Sequence, residues 1–204
     1  MSEEVQRRRR RSIRVHGYDY SLEGAYFVTV VTQDRARLLG AVRDDEVRLS
    51  PAGEMVQAIW RSLPARFPSV VLDSFVVMPN HVHGVVFLTD EAQARWTTAS
   101  GGVEAPLVGA QDDAVSQEAG ATTRGATTRV APTLGDVVGA WKSLTTVAYI
   151  AGVKQAHWSP FAGRLWQRNY YEHIVRNDED LSAIRQYILT NPQQWAQDAE
   201  NVHV

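Results

Sequence analysis

The 204-residue chain contains no cysteine, which excludes a disulfide framework, a thiolate nucleophile and every cysteine-ligated zinc or iron–sulfur site. Any bound metal must be held by histidine, carboxylate, amide or water oxygen. Long apolar runs are also missing. The longest, Ser74 to Met78 and Val82 to Leu88, are strand-length and fall well short of the roughly 20 residues that span a bilayer. No membrane crossing is expected, and the charged N-terminus precedes no apolar stretch of the kind that builds a secretory signal. An excess of one charge is lacking too: 21 Lys and Arg face 23 Asp and Glu for a net of −2, so total charge does not announce a nucleic-acid partner. With 44% apolar and 22% charged residues, the composition is that of a folding globular chain, and the length suits one domain with extras. The expected location is the cytoplasm of a prokaryotic cell, in association with its nucleoid.

Periodicity supplies the elements. Ala25 to Thr32 is a β-branched and aromatic run of strand length. Val47 to Leu49 predicts a short edge strand. Ser50-Pro51 then opens a helix with Met55, Val56, Ile59, Trp60 and Leu63 on one stripe, ended by Pro64 and Pro68. Val70 to Val77 and Val82 to Leu88 flank Met78-Pro79-Asn80 and read as an antiparallel hairpin. Thr133 and Asp136 form a capping-box variant before a second amphipathic helix that reaches about Ile150. Leu165 to Val175 predicts a last strand, and Asn177 or Asp178 caps a third helix that stops near Asn191, because Pro192 disfavours helical geometry in the residue before it. The order strand, helix, strand, strand, helix, strand, helix predicts an α+β, ferredoxin-like fold: a four-stranded antiparallel sheet with two helices on one face and a further C-terminal helix.

Composition divides the chain. Residues 1–16 form a basic arm with five consecutive arginines, Arg7, Arg8, Arg9, Arg10 and Arg11, a run suited to phosphates but equally to a solvated tail. Residues 17–195 form the single domain, and 196–204 a C-terminal tail. The stretch 91–131 is rich in Ala, Gly, Thr, Gln and Asp, includes the tandem Gly-Ala-Thr-Thr-Arg repeat of 120–129, and reads as a flexible polar insertion without chemistry.

The candidate chemistry begins at His81-Val82-His83. Alternate strand residues share a face, so both imidazoles project together while Val82 turns into apolar packing. Alone, such a pair is more often an accident of core or surface than a metal site. Tyr187 and Asn191 lie four apart on the last helix, hence on one helical face. Together the strings M-P-N-H-V-H-G-V-V (78–86), W-Q-R-N-Y-Y-E-H-I-V-R-N (166–177) and Q-Y-I-L-T-N-P (186–192) resemble the single-tyrosine HUH transposases of the IS200 type, most closely their REP-associated tyrosine transposase branch. The resemblance runs from about Gly17 to Trp195, broken by the insertion.

That resemblance implies a ferredoxin-like fold and a transposase that nicks and joins single-stranded DNA through a 5'-phosphotyrosine intermediate at hairpin-marked sites. It implies Tyr187 as the nucleophile on the C-terminal helix, and His81, His83 and Asn191 as ligands of Mg2+ or Mn2+. Tyr170 and Tyr171 compete for the nucleophile's role, but both belong to the last strand and suit packing or base stacking. Arg7 to Arg11, Trp166, Arg168 and Arg176 are the candidate DNA contacts, by phosphate pairing or stacking at the rim of the site. The partner implied is single-stranded DNA carrying a palindromic hairpin, bound by a monomer or a homodimer. The alternative is a non-cleaving, domesticated hairpin-DNA or RNA-binding regulator. A metal-dependent phosphodiesterase of small molecules is a third reading, which the arginine run weakly opposes.

Overall fold

The structure is a computed structural model that describes residues 22–89 and 132–201. Arg7 to Arg11 and the 91–131 insertion lie outside the described residues. The main sheet contains β1 (Gly24–Val31), β4 (Val70–Val77), β5 (His81–Leu88) and β6 (Tyr171–Val175) in the order β4-β5-β1-β6. All its pairings are antiparallel. With the helices α1 (Pro51–Arg61) and α3 (Leu134–Ala156) inserted between its strands, this is the ferredoxin-like order that the element sequence predicts.

Side-chain alternation gives the sheet two different faces. Tyr26, Val28 and Val30 of β1 and Val82 and Val86 of β5 meet Trp60 of α1 and Trp141 of α3 in the larger core. On the opposite face Phe27 and Val85 meet Ile184 and Ile188 of α4 (Asp178–Thr190). Helix α4 therefore packs on the face to which His81 and His83 belong. Gly84 is required by the first face: a Cβ there would lie 2.5 Å from Trp60 Cζ2. Trp60 stacks on Phe75 with ring centroids 4.5 Å apart, and Trp141 meets it edge-on at 5.7 Å.

The caps follow the sequence closely. Ser50 accepts from Gly53 N, Thr133 and Asp136 form a reciprocal capping box, and Asn177 accepts from Asp180 N. Four boundaries differ. Glu46–Leu49 (β3) pairs with Gly40–Arg43 (β2) in a separate two-stranded sheet rather than edging the main one, since an alternating strand this short is satisfied by its hairpin neighbour. Helix α1 stops at Arg61, and Pro64 sits in the first turn of a separate short helix, α2 (Leu63–Arg66), where its missing N–H costs nothing. Helix α3 runs on to Ala156 because Gly152 gives the Trp158 ring room to pack, and His157 ends it in the left-handed conformation at φ 56°. The last strand begins only at Tyr171; Trp166 makes an isolated bridge to Thr32.

Among the described residues, no helix is long and apolar enough to cross a membrane.

Candidate active site

His81 and His83 sit at the start of β5, completely or almost completely buried, with Nε2 atoms 3.0 Å apart. Their outer nitrogens are held by neighbours. Asn80, itself fully buried, donates from Nδ2 to the carbonyls of Arg35 (3.1 Å) and Glu200 (2.8 Å), so its Oδ1 must accept. The partner is His81 Nδ1 at 2.9 Å. A neutral His81 is thereby fixed as the Nδ1–H tautomer, and its Nε2 lone pair faces the site. His83 Nδ1 lies 2.8 Å from Thr29 Oγ1, directly across the β1–β5 register. A hydroxyl can donate or accept, so His83 takes either tautomer: it can donate from Nε2 to His81, or turn its own lone pair inward toward a cation. Burial holds both imidazoles neutral, with pKa values lowered to about 3, which is the form a metal requires.

A third group that could hold a metal comes from beyond α4. Asp198 Oδ2 is 3.9 Å from His81 Nε2, and one ligand atom from each of His81, His83 and Asp198 falls within 4.8 Å of the others. The sequence reading placed residue 198 in the tail. The segment after α4 instead turns back through a short 3-10 turn, Trp195–Gln197. Arg35 bonds Glu200 at 2.7 Å, Arg37 bonds Asn201 at 2.7 Å, and Asn80 holds the Glu200 carbonyl. Nothing in the sequence around Asp198 marks it except its distance of seven residues from Asn191.

Asn191, 1% exposed at the C-terminal end of α4, donates from Nδ2 to Asp198 Oδ2 at 3.1 Å. Its Oδ1 is buried and has no hydrogen-bond partner among the described residues. A buried amide oxygen without a donor is costly, and in a side chain that bonds Asp198 of the cluster it is chemically suited to a cation. The donor set is two nitrogens and hard oxygens, one of them anionic, which suits a divalent ion.

Tyr187 is one helical turn before Asn191 and 40% exposed, with its hydroxyl 3.3 Å from His83 Nε2. Phe27 supports both rings, stacking on His83 at 5.4 Å and meeting Tyr187 edge-on at 6.1 Å. Burial raises the Tyr187 pKa above 10, the Asp198 and Glu200 carboxylates raise it further, and contact with Asn191 opposes them. The phenol is thus held protonated by its own surroundings.

No family model matches the chain. A Haemophilus influenzae protein described as uncharacterized is 33% identical over 190 residues, which cover 93% of this chain and 91% of that one. The two chains belong to one family. Among solved structures, a REP-associated tyrosine transposase bound to a REP hairpin superposes with a TM-score of 0.50 over 89% of this chain and 74% of the other, at 17% identity. The chain has the fold of a REP-associated tyrosine transposase. A Deinococcus radiodurans crystal structure, described provisionally as a transposase, superposes at a TM-score of 0.41 with 19% identity over 86% of this chain and 95% of the other.

Within this transposase fold the remaining candidates lie apart from the cluster. Trp166, expected at the rim, is only 3% exposed, belongs to the larger core and donates from Nε1 to Thr145 Oγ1 at 2.9 Å. Its large apolar ring is buried by the bridge to Thr32 and by Trp141, 4.8 Å away. Arg168 and Arg176 are exposed on either side of β6; Lys142 of α3 donates to the carbonyls of Gln167 and Arg168 and so pins the loop that carries the first. Tyr170 packs against the larger core, whereas Tyr171 faces the site side and meets Phe27 edge-on at 6.3 Å. It is the Tyr187 hydroxyl that lies within hydrogen-bonding reach of the histidine pair.

Proposed function

We propose that the protein is a metal-dependent enzyme that nicks and rejoins single-stranded DNA at hairpin-marked sites through a covalent tyrosine intermediate. The observation that carries this reading is the meeting of Tyr187 from α4 with His81, His83 and Asp198 from β5 and the returning segment. The REP-associated tyrosine transposase of like fold is bound to a REP hairpin, which supports a structured DNA as the partner here, held by a monomer or a homodimer.

In this reading Tyr187 Oη attacks a phosphodiester phosphorus. The phenolic proton leaves, the P–O3' bond breaks, and the DNA is left with a 3'-hydroxyl and a 5'-phosphate joined to the tyrosine. Attack by a second 3'-hydroxyl reverses the exchange and releases the phenol, so one phosphodiester replaces another and no nucleotide cofactor is required. The protein's own charges work against the first step. Two neutral imidazoles and one carboxylate leave the cluster at about −1 by simple counting of neutral His and ionised Asp, which disfavours both a phenolate and an incoming phosphate. His81, His83, Asp198 and the free Oδ1 of Asn191 would hold Mg2+ or Mn2+. Bound there, such an ion supplies positive charge for the phosphoryl oxygens and the attacking phenol. Phe27 keeps the phenol ring upright beside His83, and the α4 turn from Tyr187 to Asn191 keeps nucleophile and ligand in fixed relation.

Single-stranded oligonucleotides carrying hairpins from the flanks of the gene, incubated with Mg2+ or Mn2+, test the reading by denaturing gel. Wild type should form a covalent protein–DNA adduct that Tyr187→Phe does not form. An adduct unchanged by Tyr187→Phe, or none from wild type on any such DNA, refutes it. A hairpin-binding regulator would bind the same DNA and give no adduct with either protein.

A further inference from the structure

A second feature lies beside Arg37, which bonds the returning segment at Asn201. The β2–β3 hairpin, the first turn of α1 and the end of α3 enclose a cavity of about 440 Å3, within the size range of small-ligand pockets. Arg37, Arg43 and Arg48 line it, Trp158 and Tyr149 form part of its wall, and no acidic side chain is among its lining residues. Of the hairpin's own acids, Glu46 is exposed and stands opposite Arg43 in the β2–β3 register. The other two, Asp44 and Asp45, are at the turn with left-handed backbone, and Asp44 reaches Arg48 only at 4.0 Å with both side chains mostly exposed. A contact of that length in water neutralises little. Three guanidinium groups therefore share one concavity that no carboxylate lines, with Glu46 and Asp44 as their acidic neighbours in the hairpin.

The position of the cavity gives it a substrate. Arg37 is on its rim and also stands over the Trp195 ring, 5.6 Å from the centroid, and Trp195 lies 6.0 Å from His81. Trp195 and Arg37 thus follow one another from His81 toward the cavity, and a strand with one phosphate at the histidine cluster would run over both to reach it. Trp158 is packed against Gly152, where a Cβ would lie 2.2 Å from the indole, and edge-on to Tyr149 at 5.3 Å. Both rings are therefore held rigidly, as a stacking surface for a base must be.

We propose that this cavity is a nucleotide-binding subsite that takes one unit of a single strand, its phosphate among Arg37, Arg43 and Arg48 and its base against Trp158. The proposal rests on the single-strand reading above and adds a place where the chain itself, rather than the metal cluster, grips DNA beyond the reacting phosphate.

The test measures binding of fluorescein-labelled (dT)12 by anisotropy, without metal, across a salt series. Arg43→Ala/Arg48→Ala should weaken binding about tenfold at low salt and lower the salt slope by about 0.7, as loss of one single-strand phosphate contact implies. Arg43→Lys/Arg48→Lys should restore the slope, and Arg61→Ala, which removes one charge at the far end of α1, should leave it near wild type. Photocrosslinking of (dT)12 carrying 5-iodouracil should label the peptide that contains Trp158. Wild-type affinity and slope in the double alanine variant, or an equal loss in Arg61→Ala, overturns the proposal. Free dTMP separates the sources of the ligand: competition at micromolar concentration would assign the cavity to a free nucleotide instead, and overturn the strand subsite. The two readings fail separately. Pocket-dependent binding with no covalent adduct leaves the subsite standing without the nuclease, and an adduct formed equally by the double alanine variant removes the subsite alone.

Discussion

Asn80→Ala removes a side chain that touches neither substrate nor metal, and its consequences separate a ligand-orienting network from ordinary packing. Asn80 is fully buried and makes three hydrogen bonds: two donated to the carbonyls of Arg35 and Glu200, one accepted from His81 Nδ1. At about 1 kcal/mol net for each, their loss costs roughly 3 kcal/mol. For a domain of this size that corresponds to a fall of about 6–12 °C in Tm. The more informative effect is on metal binding. Without Asn80 nothing fixes His81 in the Nδ1–H tautomer, and the returning segment that carries Asp198 loses its bond at Glu200, so affinity should fall by about 10- to 100-fold. Thermal unfolding with and without Mn2+ reads both effects. At a concentration near 100 times the wild-type Kd, Mn2+ stabilises wild type by about 2.7 kcal/mol, and the same concentration should give the variant only about 1.4 to 0.4 kcal/mol. A variant that is destabilised as calculated yet keeps the full Mn2+ increment would show that Asn80 is a structural residue only. A wild type with no Mn2+ increment at any concentration would remove the metal site itself.

Gly84→Ala places a Cβ 2.5 Å from Trp60 Cζ2 and 3.0 Å from Phe75 Cδ2; both rings are locked in a stack, so overpacking should cost about 1–3 kcal/mol in urea unfolding, and a neutral outcome would mean the stack can yield. Asp73→Asn removes the pair with Arg185 that ties α4 to the bulge in β4. Burial raises the Asp73 carboxyl, but bonds from Arg185 and Ser74 outweigh it and lower the pKa below its usual value. A lowered carboxylate pKa stabilises above the unfolded value and loses that contribution as pH falls through the folded one. The stability gap between wild type and Asp73→Asn should therefore be constant from about pH 5 to 8, at no more than about 1 kcal/mol given its exposure, and close below about pH 4. A gap that widens in acid would reverse the sign of the argument.

How much of this was legible depends on whether the signal was local. Ala25 to Thr32 and His81 to Leu88 carry their strand identity in their own composition, and the period of two already sends Val82 to one face and both histidines to the other. The caps at Ser50, Thr133 and Asn177 are equally local, because each satisfies donors within three residues. Trp166, for which a place at the rim and ordinary core packing were equally open from sequence, shows the opposite case. Its neighbours in the string 166–177 are polar, and only the bridge to Thr32, 134 positions earlier in the chain, shows that its ring faces Trp141. Asp198 is the clearest case. The sequence after Pro192 has neither periodicity nor a long apolar run, and the segment is folded chiefly by groups far away: Arg35, Arg37 and Asn80. An acidic residue in such a stretch reads as tail, yet its carboxylate reaches His81 because a buried asparagine in the β4–β5 turn needs a carbonyl to donate to. The same Asn80 sets the tautomer of His81, so the sequence string that begins the histidine pair also holds, through its one amide, the segment that brings a carboxylate to the pair.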